Sequence, residues 1–135
     1  MARKVLTNVI VKVNDVDLSD HIASVELSRS FDDIETTAYG DGGRTRVGGL
    51  EDSSLSLDFH QDWAATEVEA TIQPLLGGTA SFEVIPDGTA VSATNPKYSG
   101  TVLITEWTPV SGAVGELATA SVTWPVSGVV AYGTA

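Results

Sequence analysis

Cysteine is absent from the 135 residues. Its absence excludes a disulfide framework, thiolate metal sites, iron–sulfur clusters and a cysteine nucleophile. Bases are scarce: 7 Lys and Arg stand against 18 Asp and Glu, a formal net charge of −11. A chain that acidic grips the phosphates of nucleic acid or anionic lipid poorly. No apolar run approaches the ~18 residues of a membrane span. The sequence has no Gly-x-Ser-x-Gly elbow, no His-Glu-x-x-His and no basic patch interleaved with aromatics, which removes the commonest hydrolase, zinc-protease and single-strand-binding signatures.

What is present fits one domain over residues 1–135, with a long extended loop at about 32–52. A chain of this length buries roughly two-thirds of its extended surface and needs no covalent staple. Charge is unevenly spread. Residues 15–69 hold 14 of the 18 acids and only Arg29, Arg44 and Arg46 as bases, while the remainder is neutral and rich in Val, Thr, Ser, Ala and Gly. Met1-Ala2-Arg3-Lys4 followed by Val5–Lys12 reads as a β-strand with a basic tip and not as a secretory leader, since polar residues interrupt the apolar stretch and no small-residue cleavage site follows. The expectation is a protein made and used without crossing a membrane by the signal-peptide route.

Period-two alternation dominates, the mark of strands with one buried face. It predicts strands over Val5–Val13, Ile22–Ser30, Ser53–His60, Ala80–Ile85, Tyr98–Trp107 and Glu116–Trp124, with a turn at Asn14-Asp15 and a short piece at Val16–Leu18. Val25 and Leu27, then Leu55, Leu57 and Phe59, are the inward residues of two of these strands. One helix is expected from Asp62 as N-cap, with Ala64, Val68, Ile72 and Leu75/Leu76 at helical spacing, Glu67 and Glu69 near its positive end, and Pro74 and Gly77-Gly78 as the stop. The tail Pro125–Ala135 is small and apolar. Five glycines fall within residues 40–49. Glycine loses the most backbone freedom on ordering, so a long mobile loop or β-arm is expected over about 35–50. The fold class is mainly β: an antiparallel sandwich or barrel with one packed α-helix.

Candidate chemistry is thin. Asp15, Asp17, Asp20 and His21 form an oxygen-rich run, but Asp-x-Asp-x-x-Asp lacks the turn glycine and distal Glu of a calcium loop, which favours an acidic turn. His60, near Asp58 and Asp62, sits on a face alternating with serines, which favours a solvated strand over an acid–base pair. Gly40-Asp41-Gly42-Gly43-Arg44-Thr45 has no Gly-Lys-Ser/Thr ending and no helix pattern behind it, so it lacks a phosphate cradle's oriented amides. Trp63, Trp107 and Trp124 lie among apolar neighbours, as core or interface residues do. No catalytic residue, cofactor or metal is implied.

A surface pattern remains. Ser24, Glu26 and Ser28; Ser54, Ser56 and Asp58; and Thr119, Ser121 and Thr123 form hydroxyl-rich outward faces with occasional acids. Such faces are the solvent side of an antiparallel sheet. If copies close into a ring, they instead line a channel that repels phosphates and offers bases nothing to stack on.

Four stretches carry a resemblance to a known family. They are Thr37–Arg46 (Thr-Ala-Tyr-Gly-Asp-Gly-Gly-Arg-Thr-Arg) with Gly48–Asp52; Leu57–Asp62 with Pro74–Gly77; Val91–Gly100; and Ala120–Val126. In order and spacing the chain resembles the tail tube (major tail) proteins of long-tailed bacteriophages, most closely those infecting actinobacteria. The resemblance implies a β-sandwich with one helix that forms hexameric rings. Those rings stack around a tape-measure protein between tail tip and tail terminator, in a virion tail assembled in the host cytoplasm. DNA passes through the lumen without specific binding, and no membrane or enzymatic activity is involved. The family's inter-strand loop reaches neighbouring subunits and rings. Carried onto this sequence it offers Asp33, Tyr39, Arg44, Arg46, Leu50, Glu51 and Asp52 as contact residues. Charge adds the expectation that Arg44 and Arg46 meet a neighbour's Glu51, Asp52 or Asp33. The candidate lumen face is Ser24, Glu26, Ser28, Ser54, Ser56 and Asp58. The other class left open is a monomeric decoration or carbohydrate-binding sandwich using the tryptophans. An enzyme comes third.

Overall fold

A computed structural model describes residues 5–65 and 67–134. The basic tip read in residues 1–4 lies outside them. Alternation translates into strands wherever one face is covered. In β3 (Ile22–Ser28) Val25 and Leu27 turn towards the core, and in β6 (Ser54–His60) Leu55, Leu57 and Phe59 are buried. β7 (Thr79–Ile85) follows the same rule with Ala80, Phe82 and Val84. β1 is shorter than expected, Ile10–Val13, because Val5 and Leu6 are exposed and find no partner strand. Asn14 and Asp15 take φ of 52° and 65° and join β1 to β2 (Val16–Asp17), with Val13 opposite Val16. Two left-handed residues are what the twist of a two-residue hairpin requires.

Seven strands form one antiparallel sheet in the order β2-β1-β7-β8-β9-β6-β3, where β8 is Lys97–Leu103 and β9 is Thr119–Gly133. β9 is the hinge line. Its first half pairs with β6 from Thr119 to Pro125, and its second half pairs with β8 from Val126 to Gly133. The strand expected over Glu116–Trp124 therefore runs on through the tail to Gly133, the longest among the described residues. Proline lacks an N–H, and here it sits where the strand changes partners. A bulge follows, with Gly128 at φ +94° and the register slipping between Ser99 and Thr101 of β8. β8 in turn stops at Leu103, short of the expected Trp107, and Ile104 bonds to Gly77 and Gly78 just ahead of β7.

The result is a curled half-barrel. Its two free edges, β2 and β3, do not meet, and a cleft of about 660 Å³ opens between them, lined among others by Leu6, Val9, Val11, Asp17, Ile22 and Val25. The concave side holds one apolar cluster centred on Trp124, Phe59 and Phe82. Trp107 stands edge-on to Phe59 at 5.6 Å.

The expected helix is cut to α1 (Val68–Ile72), which tightens into a 3₁₀ turn over Gln73–Leu75. Its N-cap is Glu67 and not Asp62. Asp62 instead closes a local turn, its Oδ1 accepting the Ala64 N–H at 2.9 Å, so Ala64 is outside the helix and exposed. Pro74 removes the donor that a further α-turn would need. Val68 and Ile72 plug the core, and Glu69 ties the helix to the sheet by accepting from Trp107 Nε1 at 2.7 Å and Gln61 Nε2 at 3.1 Å. No helix among the described residues is long and apolar enough to cross a membrane.

Candidate assembly surface

Residues 31–51 leave the half-barrel as a two-stranded ribbon of β4 (Phe31–Glu35) and β5 (Arg46–Glu51), paired only with each other. Where the glycine count left a loop or a β-arm, Gly48 and Gly49 lie within β5. Gly49 works there because a Cβ would stand 2.9 Å from both Asp32 Cβ and Ile34 Cδ1. The ribbon extends through Thr36 N–H to Thr45 O at 2.8 Å and ends in a turn where Ala38 N–H donates to Asp41 Oδ2. The Gly40–Thr45 run is thus the exposed tip of an arm, followed by a strand and not by the helix a phosphate cradle needs.

The arm is two-faced. Ile34 lies opposite Val47, so both side chains share one side, half-exposed at 50% and 52%. Glu35 lies opposite Arg46 on the other side, where Arg44 approaches Glu35 and Arg46 approaches Asp33, each at 3.5 Å. Tyr39 is fully exposed and Leu50 is 81% exposed.

The foot of the arm is built differently. The Glu51 side chain is 1% exposed and accepts from Arg29 (2.9 Å), Ser53 Oγ (2.8 Å) and the Val130 N–H of β9 (3.1 Å). The Arg29 and Ser53 hydrogen bonds, then the Val130 N–H, hold its carboxyl down at about 2. Asp52 is fastened beside it, its N–H on Ser30 O at 2.7 Å and its carbonyl accepting from Ser30 Oγ. Within the chain, the partner of Glu51, one of the acids expected to meet a neighbour's arginine, is Arg29. Arg44, Arg46 and Asp33 likewise have partners within the arm.

The six residues expected on one face are brought together. β3 and β6 set Ser24 opposite Asp58, Glu26 opposite Ser56 and Ser28 opposite Ser54. β9 adds Ser121 opposite Asp58 and Thr123 opposite Ser56, with Ser56 Oγ and Thr123 Oγ1 3.1 Å apart. The patch is contiguous over three strands and lies on the side away from the core.

The histidines behave otherwise than their sequence neighbours suggest. Asp15, Asp17 and Asp20 do not close around His21. Asp17 turns to Ser19, while His21 Nε2 lies 2.6 Å from Glu67 Oε2 and 3.2 Å from Asp62 Oδ2. Burial lowers the His21 pKa, but the Glu67 hydrogen bond and the fields of Asp20, Glu67 and Asp62 outweigh it and raise the group above its ordinary value. His60 makes no contact with Asp58 or Asp62, and its Nδ1 is buried without a hydrogen-bond partner among the described residues. Sequence reasoning missed the Arg29–Glu51 and His21–Glu67 pairs. No local signal marks them, since the partners lie 22 and 46 positions apart in the sequence. Of the tryptophans, Trp124 is core, Trp107 is partly buried and only Trp63 is exposed, so they form no platform.

Neither a family model nor a curated protein sequence matches the chain. Its fold is shared with solved assemblies. A chain in the virion of a native gene transfer agent superposes with a TM-score of 0.74 at 16% identity, over 93% of this chain and 95% of that one. A chain in the tail of an empty gene transfer agent particle, computed with C6 symmetry, gives 0.66 at 18% over 83% and 81%. A chain in the sheath–tube complex of an extracellular contractile injection system in its extended state gives 0.67 at 17% over 95% and 89%. At these identities the likeness is one of fold.

Proposed function

We propose that the chain is a tail tube protein, a structural subunit that associates with copies of itself into stacked rings. The observation that carries this reading is the match of the fold to a chain of a gene transfer agent virion, over 93% of this chain and 95% of that one. A second feature supports it. The arm holds Ile34, Val47, Leu50 and Tyr39 in solvent, and exposed apolar area of this kind marks an interaction surface. The rings are hexameric, in keeping with the C6 symmetry of the empty gene transfer agent tail that shares the fold. The arm reaches a neighbouring subunit or ring through Tyr39, Leu50 and the Ile34–Val47 face, with Glu51 and Asp52 fixing its root. The patch of Ser24, Glu26, Ser28, Ser54, Ser56 and Asp58 faces the lumen, where hydroxyls and acids let DNA pass unbound. Tape-measure, tail-tip and terminator proteins are its partners, the assembled tail of a virion its location and the host cytoplasm its place of assembly. The role is structural and asks for no catalysis. Affinity to the tubes of actinobacterial phages rests on the four sequence stretches named above. A tryptophan-based carbohydrate module has less support, because Trp124 is buried and Trp107 is committed to Glu69.

The test is light scattering and negative-stain microscopy of purified protein over a rising concentration series, with and without preformed tube ends as template. Rings or hollow tubes are expected, and a protein lacking residues 36–45 stays monomeric. A species that remains monomeric at every concentration and ignores the template overturns the reading.

A further inference from the structure

We propose that His21, Asp62 and Glu67 form a binding site for a divalent first-row transition metal of the zinc class. The inference is independent of the tube reading. One nitrogen and two carboxylate oxygens from separate segments converge within 4.8 Å of one another. His21 comes from the turn before β3, and Asp62 and Glu67 from the link between β6 and α1, so 41 and 46 positions separate the donors. The donor set selects the metal. Imidazole with carboxylates suits zinc and its neighbours, calcium and magnesium prefer all-oxygen shells, and the thiolates of softer sites are absent.

The geometry is close to that of a bound state. Donor atoms around a tetrahedral zinc with bonds of about 2.0–2.1 Å lie roughly 3.3 Å apart. Asp62 Oδ2 already stands 3.2 Å from His21 Nε2, and Glu67 Oε2, at 2.6 Å, needs to withdraw by less than a rotamer step. Asp62 is pre-oriented: its Oδ1 is held by the Ala64 N–H, which leaves Oδ2 aimed at the imidazole. Support of a ligating carboxylate by a second hydrogen bond is how metal sites fix their donors. Among the described residues neither Asp62 nor Glu67 has a Lys or Arg partner, so the cluster lacks a fixed cation in the most acidic part of the chain. The three side chains are partly exposed, which leaves an approach path and room for water as the fourth ligand.

The experiment is isothermal titration of the metal-free protein with zinc chloride, alongside His21→Gln and Glu67→Gln and with magnesium and calcium chloride as competing probes. One zinc per chain is expected, with affinity at least about tenfold weaker in each variant and no response to magnesium or calcium. Far-UV circular dichroism checks that the variants are folded. Imidazole nitrogen NMR of the unmodified protein gives a reading that needs no variant: zinc shifts the His21 resonances and leaves His60 unmoved. Absence of saturable zinc binding, equal affinity in both folded variants, or a response confined to His60 overturns the proposal.

Discussion

Replacing Ile34 and Val47 together by alanine separates the arm's role in assembly from any role in folding. Burying an Ile or Val side chain completely is worth about 1.5–3 kcal/mol. Both residues are about half-exposed in the isolated chain, so docking has roughly half of that left to gain, about 1 kcal/mol each. The pair therefore contributes about 2 kcal/mol per subunit to a contact that covers it, which raises the critical concentration for assembly about 30-fold at 1.4 kcal/mol per decade. Inside the monomer the same change removes one cross-strand pair worth roughly 0.2–1 kcal/mol. Among the described residues the ribbon beyond its foot hydrogen-bonds only to itself, so that loss loosens the arm and leaves the half-barrel intact. The assay is sedimentation of assembled material over a dilution series, paired with thermal melting of the monomer. An unchanged critical concentration refutes the claim that this face docks. A large fall in the monomer's melting temperature refutes the claim that the arm stands apart from the core.

Three further outcomes follow from the same structure. The double reversal Arg44→Glu, Arg46→Glu leaves monomer stability within about 1 kcal/mol, since exposed ion pairs are worth little, but it abolishes tubes; unchanged tube length and yield by electron microscopy counts against the arm. Glu51 titrates at about 2 in the folded chain against 4.5 ordinarily, so the unfolded chain takes up its proton first. The stability it contributes is complete above about pH 4.5 and drains away as pH falls towards 2. Urea midpoints measured across that range fall less steeply in Glu51→Gln, from a lower neutral plateau. Leu57→Ala, at a fully buried site beside Phe59, costs about 2–5 kcal/mol, read from urea unfolding of the monomer, and a loss under 1 kcal/mol would mean the core is not packed as described.

Alternation made β3, β6 and β7 legible because each has one covered face along its whole length, so side-chain chemistry and sheet geometry carry the same period. It failed where the strand itself is irregular. The second half of β9 contains a proline, a partner change and a left-handed Gly128, and each resets the in–out pattern within a residue or two. The helix is shorter than its spacing suggests: Ala64, Val68 and Ile72 recur at helical intervals, but turns at Asp62 and Ala64 come first and the helix begins only after Glu67. Five glycines within 40–49 pointed to a loop or β-arm over about 35–50; two of them, Gly48 and Gly49, lie inside a strand, where the missing Cβ of Gly49 makes room for Asp32 and Ile34. The polar face was legible because its members alternate within single strands. His21–Glu67 and Arg29–Glu51 were not, because the partners meet only once distant segments have folded together.

The charges of the arm make sense against the charge of the whole. Copies of a chain carrying −11 repel each other, and a contact between them must either hold acids far apart or arrive with them neutralised. In the proposed ring the lumen face takes the first course. Glu26 and Asp58 look into open water, where repulsion beyond the Debye length of about 8 Å is largely screened. The arm takes the second. Residues 33–46 contain three acids and two bases, a net −1, and four of those five charges are matched within the ribbon as Asp33–Arg46 and Glu35–Arg44. These pairs add little to the stability of the fold, as exposed pairs generally do. What they supply is an almost neutral element that can approach an acidic neighbour and present Ile34, Val47 and Tyr39 to it. Charge reversal at the two arginines turns that −1 into −5 and restores the repulsion on the one element that has to come close.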